Sequence, residues 1–291
     1  MADLITTAYK VAAGAARLAP NPVATRAVRG LGRIAARRLP EKRRIAARNI
    51  QRARPDLTGR ALERAVTETF ESYARYYLES FRLPGTSAAD LDAGFSTEGY
   101  EHIEAARAAG KGAIMALPHL GGWEWAGLWL SRVRDIPVTV VVERLDPPSL
   151  FEWFVELRHQ FGMEVVALGP EAGTATSRAL KANHLLALLC DRDLAGTGPE
   201  VEFFGERTTL PGGPATLALR TGAPILPTAI YFDGPRRHAV VKPPLDTARR
   251  GGLREDVARI TQDVAHALED LIRAAPQQWH LLQPNWPSDR S

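Results

Sequence analysis

The sequence Ala113-Ile-Met-Ala-Leu-Pro-His119-Leu-Gly-Gly-Trp-Glu124-Trp125 holds the features that decide the fold. Its first five residues form a short apolar run that is typical of a buried strand, and Pro118 ends that run. Gly121 and Gly122 then open a second run, which predicts a helix through Leu130. A strand, a turn and a helix in this order are the repeating unit of a parallel α/β sheet.

The turn of this unit carries a histidine, and four residues separate His119 from the carboxylate of Glu124. Ligand crevices of parallel sheets form at the carboxyl ends of their strands, which is where His119 is placed. An imidazole, a carboxylate and the free N–H groups of a helix start thus lie within about six residues. We predict that His119 is a general base, with a carboxylate to orient it, and that the helix start beside it binds an anion.

The same spacing occurs a second time, between His159 and Glu164. Seven histidines and 33 acidic residues are enough for such a match to arise by chance, so the spacing alone decides nothing. His159 ends a helical run that precedes a new strand, which is typical of a helix C-terminal residue. Only the first copy follows a strand and precedes a helix, and this context favours His119.

Strands and helices alternate from about residue 95 onward. The predicted strands are 113–117, 137–142, 164–167, 185–190, 200–204, 224–231 and 237–242, and the predicted helices lie near 99–109, 122–133, 148–160, 171–182, 213–221 and 252–274. This alternation predicts an α/β fold with a mostly parallel central sheet and helices on both faces. We assign residues 61–291 to a single α/β domain.

Charged residues follow two more of the predicted strands. They are Glu143 and Arg144 after one strand, and Asp191, Arg192 and Asp193 after the other. Because strand carboxyl ends meet at one edge of such a sheet, these residues are candidates for the same crevice as His119. The alternative is a structural ion pair in each loop. Arg158 lies on a later predicted helix, where a solvated side chain is the simpler interpretation.

The net charge of +4 is unevenly distributed along the chain. Residues 1–60 hold 14 basic and 3 acidic residues (+11), whereas the remainder holds 23 basic and 30 acidic residues (−7). Residues 3–18 and the segment after Pro22 both have the pattern of amphipathic helices, and the second places several arginines on one face. Residues 1–60 are therefore predicted to bind an anionic membrane surface.

Two other interpretations of residues 1–60 remain open. The helices could pack on the domain with a solvated arginine face, or they could bind nucleic acid. Residues 10–69 contain no aromatic side chain and the rest of the chain is acidic, so we predict no nucleic-acid partner. No stretch has the length and apolar character of a transmembrane helix, and the single cysteine excludes an intramolecular disulfide.

With these motifs in order, the chain resembles the lysophospholipid acyltransferase superfamily, in particular the branch of the lipid A and phosphatidylinositol mannoside acyltransferases. The resemblance spans about residues 25–280. It is carried by His119-x4-Glu124, Val142-Glu143-Arg144, Arg158 before Phe161-Gly162-Met163, Asp191-Arg192-Asp193-Leu194, Val201-Glu-Phe-Phe-Gly205 with Thr209-Leu-Pro211, Thr221-Gly-Ala-Pro-Ile-Leu-Pro227 and Pro276-x-x-Trp279.

The resemblance implies transfer of a fatty acyl chain from acyl-CoA to a lipid hydroxyl, with His119 as general base and without a covalent acyl-enzyme, a metal or a cofactor. Glu124 or Asp191 would orient His119, and both remain candidates. Glu124 stands where the mannoside group commonly has Asp, and Asp191 where Glu is common. The implied substrate-binding residues are Glu143, Arg144, Arg158, Arg192, Asp193, Gly121 and Gly122.

The choice of acceptor depends on composition, because arginine outnumbers lysine 32 to 5. This usage, with many Ala, Gly and Pro, indicates a GC-rich genome such as that of an actinobacterium. The resemblance then implies acylation of a phosphatidylinositol mannoside by a peripheral, monomeric protein at the cytoplasmic face of the cell membrane. The alternatives are a lipid A-type or lysophosphatidate O-acyltransferase and a non-catalytic lipid-binding protein.

Overall fold

The computed structural model of the protein describes residues 2–290. Met1 of the predicted segment 1–60 and Ser291 of the predicted domain 61–291 lie outside the described residues. The strands are β1 (Phe95–Glu98), β2 (Ala113–Leu117), β3 (Val138–Val142), β4 (Met163–Ala167), β5 (Leu185–Leu189), β6 (Glu200–Phe203), β7 (Glu206–Thr209), β8 (Ile225–Asp233) and β9 (Arg236–Val241). The helices are α1 (Ala2–Leu18), α2 (Asn21–Arg38), α3 (Pro40–Ala53), α4 (Gly59–Arg82), α5 (Ala88–Ala93), α6 (Tyr100–Ala108), α7 (Trp123–Arg132), α8 (Pro148–Gln160), α9 (Ala172–Lys181), α10 (Gly213–Thr221) and α11 (Leu253–Ala274). Short 3₁₀ helices cover Leu83–Gly85, Pro276–Gln278 and Pro287–Arg290.

The described residues form a seven-stranded sheet in the order β1-β9-β8-β2-β5-β3-β4. Every neighbouring pair is parallel except β8 and β9, which form an antiparallel pair. The predicted α/β fold with a mostly parallel central sheet is therefore confirmed. The sequence does not predict β1 or β7, and β6 pairs with β7 in a separate two-stranded antiparallel sheet.

The side chains of β2 show how both faces of the sheet are covered. Successive residues of a strand point to opposite faces, and all five residues of β2 are buried. Ala113, Met115 and Leu117 pack in one core with residues of α1, α4, α7 and α8. Ile114 and Ala116 pack in a second core with residues of α9, α10 and α11. Helices thus flank both faces, as predicted.

The helices of residues 1–60 pack against the rest of the chain. At the crossing of α2 and α4, a Cβ on Gly32 would lie 2.8 Å from the Cα of Glu71, so only glycine permits this approach. Ile50 of α3 is buried in a small core with Phe70 of α4. The predicted division of the chain at residue 60 stays a prediction.

Several arginines of this segment are held in ion pairs with other parts of the chain. Arg52 lies 2.9 Å from Asp289 and 3.0 Å from Glu206, and only 11% of its side chain is exposed. Arg33 of α2 pairs with Glu71 of α4 at 2.6 Å. Part of the basic charge counted in the sequence therefore joins the N-terminal helices to the domain and is not free to meet an external anion.

Candidate active site

His119 and Asp191 are brought together by two adjacent parallel strands. β2 pairs with β5 along its whole length, and both strands end at the same edge of the sheet. Pro118 follows β2, and the N–H of Cys190, just after β5, donates to the carbonyl of Leu117. This register places His119 and Asp191 side by side, each two positions beyond the end of its strand. The two loops therefore position an imidazole next to a carboxylate.

The carboxylate of Asp191 holds the His119 ring in one orientation. His119 Nδ1 lies 2.6 Å from Asp191 Oδ1, and the backbone N–H of His119 donates to Oδ2 at 3.0 Å. Since an ionised carboxylate only accepts hydrogen bonds, Nδ1 carries the proton and Nε2 keeps a free lone pair. Nε2 has no hydrogen-bond partner among residues 2–290, and 27% of the His119 side chain is exposed.

Asp191 is fully buried and ionised. Burial raises the pKa of its carboxyl, but the charge of His119 and hydrogen bonds from His119 and Trp279 outweigh that effect and hold the pKa below its usual value. The indole Nε1 of Trp279 donates to Asp191 Oδ2 at 2.7 Å. Removing one of these donors would leave a buried oxygen without a replacement, because solvent does not reach it.

Glu124 contacts other residues than His119. Its Oε1 accepts hydrogen bonds from Arg158 Nη2 at 2.5 Å and from the Tyr76 hydroxyl at 3.1 Å. Glu124 is buried on the inner face of α7. Burial and the charge of Glu124 raise the pKa of Tyr76, so its hydroxyl stays protonated and donates. Of the two candidate carboxylates, the structure places Asp191 on the imidazole and Glu124 in a buried ion pair with Arg158.

The remaining charged candidates follow the ends of β3 and β5. Glu143 and Arg192 form an ion pair at 2.8 Å across the two loops. Asp193 accepts the backbone N–H groups of Ala195 and Gly198, which stabilises its own loop. Arg144 is exposed, with its guanidinium 5.8 Å from the ring centre of Phe151. The structure brings Glu143 to Arg192, next to Asp191, and joins neither Asp193 nor Arg144 to that pair.

Gly121 and Gly122 have a structural role that the sequence does not indicate. The N–H of Gly121 donates to the carbonyl of Gln278 at 3.0 Å, and that of Gly122 to Ile230 at 3.2 Å. Gly121 has a φ of +62°, and a Cβ there would lie 1.9 Å from the Ile230 oxygen. These two N–H groups are therefore not free to donate to a substrate, and the prediction that Gly121 and Gly122 bind substrate stays a prediction.

The first turn of α7 offers other donors. The backbone N–H groups of Trp123 and Glu124 have no hydrogen-bond partner within residues 2–290. This is expected of the first residues of a helix, whose N–H groups precede any intrahelical acceptor. The ring of Trp123 packs edge-on to that of His119, with the ring centres 5.9 Å apart. The free backbone N–H groups of Trp123 and Glu124 therefore follow His119 by four and five residues.

An apolar cavity lies beneath α7 next to these residues. It has a volume of about 80 Å³ and extends from Trp123, Glu124 and Arg158 along the sheet to Val138 and Met163. Val138 and Met163 pair at the amino ends of β3 and β4, so the cavity runs along the strands from their carboxyl ends to their amino ends. Over a five-residue strand this length is about 13 Å. The buried ion pair of Glu124 and Arg158 is a polar feature of an otherwise largely apolar lining.

Comparison with known proteins identifies the family. The sequence profile of the bacterial lipid A biosynthesis acyltransferases matches residues 3–288. The chain belongs to that family. A phosphatidylinositol mannoside acyltransferase of Mycobacterium tuberculosis is 44% identical over 230 residues, which are 77% of this chain and 70% of the relative. One from Mycolicibacterium smegmatis is 40% identical over 229 residues, 78% of this chain and 73% of the relative.

Family membership and these relatives assign a lipid acyltransferase function to the protein. The mycobacterial sources also fit the actinobacterial origin that the arginine-rich composition indicates. Within residues 2–290 no three His, Cys, Asp or Glu side chains are grouped as metal ligands would be.

Two residues at the candidate site come from the C-terminal segment and were not predicted as site residues. Trp279, known from the sequence only as part of a motif, binds Asp191. The backbone N–H of His280 donates to the carbonyl of His119 at 2.6 Å, and its ring packs against Trp123 with the centres 5.9 Å apart. His280 Nε2 lies 2.8 Å from Ser72 Oγ. A lone histidine far along the chain carries no sequence signal for this position.

We expect buried His280 to make the folded protein sensitive to acid. Burial and the nearby charge of His119 lower the pKa of His280 from its ordinary 6.5 to about 3. Below pH 6.5 the unfolded chain binds a proton that the folded protein excludes, so stability is full above that pH and is lost as the pH falls toward 3. Between pH 7 and pH 4 this group should lower the free energy of unfolding by on the order of 3 kcal/mol.

Denaturant unfolding of wild type and His280→Phe at both pH values measures this effect. The variant should be less stable at pH 7, because it loses the hydrogen bond with Ser72, but its stability should fall less on acidification. Equal losses in the two proteins would show that His280 is not the group responsible.

Proposed function

We propose that the protein transfers a fatty acyl chain from acyl-CoA to a mannose hydroxyl of a phosphatidylinositol mannoside. The observation that carries this proposal is the free Nε2 of His119, whose ring is oriented by Asp191 and packs against Trp123, a residue of the apolar cavity lining. A base next to a space for a hydrocarbon chain fits acyl transfer to a hydroxyl. The acceptor class rests on the relatives named above.

His119 accepts the proton of the acceptor hydroxyl on Nε2 while the hydroxyl oxygen attacks the thioester carbonyl. Asp191 stabilises the imidazolium that forms, through the bond at Nδ1. The N–H groups of Trp123 and Glu124 are the donors available to the tetrahedral oxyanion. When the intermediate collapses, the carbon–sulfur bond breaks and the proton moves from Nε2 to the leaving thiolate of CoA. No covalent acyl-enzyme forms in this sequence, and no cofactor takes part.

The apolar cavity is the proposed site of the acyl chain. Its far end is formed by Met163, and a Cβ on Gly127 of α7 would lie 2.2 Å from the Met163 Cε. Because Gly127 has no side chain, the Met163 side chain has room at the end of the cavity. Because apolar pockets discriminate chains by length through steric fit, this end sets the longest acyl chain that the enzyme accepts.

Gly127→Val is expected to shift the preference toward shorter chains. The added methyl groups push Met163 into the cavity, so the ratio of kcat/KM for palmitoyl-CoA to that for octanoyl-CoA should fall by roughly tenfold. The control is Gly173→Val, in a helix position where a Cβ meets nothing within 4 Å. An unchanged ratio in Gly127→Val would contradict this placement of the acyl chain.

The exposed face of α1 and α2 supports a peripheral position on the cytoplasmic face of the membrane. Leu4, Val11 and Leu18 of α1 are spaced seven residues apart, which places them on one stripe of the helix, and all three are largely exposed. Leu31 and Ile34 of α2 are also exposed, on the helix that carries the exposed arginines Arg26, Arg29 and Arg37. Among residues 2–290 no helix is both long and apolar enough to cross a bilayer. An apolar stripe beside basic residues suits the surface of an anionic bilayer.

The triple variant Leu4→Ser, Val11→Ser and Leu18→Ser should weaken binding to vesicles of phosphatidylinositol and phosphatidylcholine at least about tenfold, since each apolar side chain buried contributes about 1.5–3 kcal/mol. Sedimentation with the vesicles measures the bound fraction. Leu253→Ser replaces an exposed leucine at the start of α11, on the other face of the sheet, and should bind as wild type does. Equal binding of the triple variant would refute the membrane surface.

A panel of acceptors separates the proposed function from its alternatives. Purified protein is incubated with palmitoyl-CoA and, in turn, a phosphatidylinositol mannoside, lysophosphatidate and a lipid A precursor. We expect the mannoside to react fastest. Preferred acylation of another acceptor would reassign the substrate within the family. Binding of acyl-CoA without any transfer or hydrolysis would favour a non-catalytic lipid-binding protein.

A further inference from the structure

The C-terminal segment crosses the loop that carries the catalytic histidine. The N–H of Gly121 donates to the carbonyl of Gln278 at 3.0 Å, and the N–H of His280 donates to the carbonyl of His119 at 2.6 Å. Between these two bonds, Leu120 and Trp279 form an antiparallel bridge. Backbone pairing thus fixes Trp279 directly opposite the loop of His119. Its indole is 2% exposed and faces the buried carboxylate of Asp191.

The indole N–H completes the set of donors around that carboxylate. Trp279 Nε1 donates to Asp191 Oδ2 at 2.7 Å, and the same oxygen accepts the backbone N–H of His119 at 3.0 Å. The other oxygen, Oδ1, is left to hold Nδ1 of the imidazole at 2.6 Å. The torsion that rotates an aspartate carboxylate is soft, so the side chain does not fix this plane by itself. Two donors on one oxygen fix it.

We infer that Trp279 is a positioning residue for acyl transfer: its indole N–H holds the Asp191 carboxylate in the plane that orients His119. The inference rests on the proposed function, because Trp279 is inferred to help orient His119, the proposed general base. Trp279 itself touches neither the hydroxyl nor the thioester. Its effect on the reaction passes through Asp191 to the tautomer and direction of the imidazole.

Loss of the indole N–H has a defined consequence in this environment. Asp191 is 0% exposed, so water cannot take over as donor to Oδ2. The carboxylate then turns toward whichever donors remain, and the geometry at Nδ1 is no longer held. A hydrogen bond to a buried charged group is a strong one, and we expect kcat to fall by about 10- to 100-fold. KM for acyl-CoA should change little, because the donor site is not altered.

The chain provides a matched control in Trp286. Its indole is also buried, and its Nε1 donates to the backbone carbonyl of Phe203 at 3.1 Å. Both indoles pack in the same aromatic cluster, with their ring centres 6.3 Å apart. The two residues therefore share burial, packing and one hydrogen bond. They differ in the acceptor, which is the catalytic carboxylate for Trp279 and a carbonyl of β6 for Trp286.

The test replaces each tryptophan by β-(3-benzothienyl)alanine, an isostere in which sulfur takes the place of the N–H group. This change keeps the aromatic packing and deletes only the donor. Steady-state kinetics with palmitoyl-CoA and a phosphatidylinositol mannoside should show the fall in kcat at position 279 and less than about a twofold change at position 286. Thermal unfolding checks that both proteins fold, and the shift should be larger at position 279, where the lost hydrogen bond goes to a charged group.

The full-length Asp191→Asn protein provides a second measurement. A purely structural role of Trp279 would lower activity equally in the wild-type and Asp191→Asn backgrounds, whereas a positioning role loses its effect once the carboxylate is gone. A wild-type kcat for the position 279 isostere, or an equal loss at positions 279 and 286, would overturn the inference. His119→Ala is measured in parallel. If His119→Ala is inactive while the position 279 isostere is fully active, only the inference on Trp279 fails. If His119→Ala is active, the proposed function fails.

Discussion

Replacing His119 with alanine is expected to lower the rate of acyl transfer by about 10²–10⁴-fold, which is the usual contribution of a positioned general base. Within the part of the chain that the structure describes, no other residue that hydrogen-bonds to Asp191 has a free basic nitrogen, since Trp279 and Asn285 are both donors. The variant should still fold, because Asp191 keeps the indole and backbone N–H donors. The loss should appear in kcat at saturating acyl-CoA, measured by release of free CoA.

The second histidine of the same spacing is the matched control for this variant. His159 lies exposed in the last turn of α8, and its backbone carbonyl accepts the N–H of Gly162. The role predicted for it, that of a helix C-terminal residue, is confirmed. His159→Ala should therefore have wild-type kcat. A His119→Ala protein with wild-type kcat would remove the base from the mechanism.

The second large loss of kcat is expected for Asp191→Asn. An asparagine presents either a neutral oxygen or an N–H group to Nδ1, so it neither stabilises the imidazolium nor secures the tautomer with a free Nε2. In the Ser-His-Asp template the same change costs about 10⁴-fold in kcat, and we expect a loss on the order of 10³–10⁴-fold here. The measurement is kcat over a range of pH, with circular dichroism to verify the fold.

Glu124→Gln separates the two carboxylates. Glu124 pairs with Arg158 inside the cavity lining, and removing its charge leaves a buried guanidinium without a counterion. Such a loss costs about 3–5 kcal/mol, so the variant should show mainly a lower free energy of unfolding. If Glu124→Gln were stable and inactive while Asp191→Asn kept its kcat, the orienting carboxylate would be Glu124.

The position of His119 could be predicted from sequence because its signals are local. An apolar run, a proline and a glycine pair define the strand and the turn within a few residues, and the same reasoning places Asp191 after β5. The role of Glu124 could not be predicted in this way. Its partners Arg158 and Tyr76 come from two other helices, and only the packing of α4 and α8 against α7 determines that its side chain turns inward.

Contacts between distant segments account for the other differences. Trp279 is 88 positions from Asp191, and nothing near either residue predicts their contact. The N–H groups of Gly121 and Gly122 are occupied by Gln278 and Ile230, which belong to later elements. β6 alternates exposed Glu200 with buried Val201, a pattern that predicts a strand but does not tell which sheet it joins. Periodicity identifies elements, whereas tertiary pairing decides their partners.

The most direct test of His119-catalysed acyl transfer is mass spectrometry of the lipids after incubation with palmitoyl-CoA and a phosphatidylinositol mannoside. Wild type should convert the acceptor to a product heavier by one palmitoyl group, with one free CoA released for each product, and His119→Ala should form almost none. Equal product from both proteins, or release of CoA without an acylated lipid, would contradict direct transfer to the mannoside by this base.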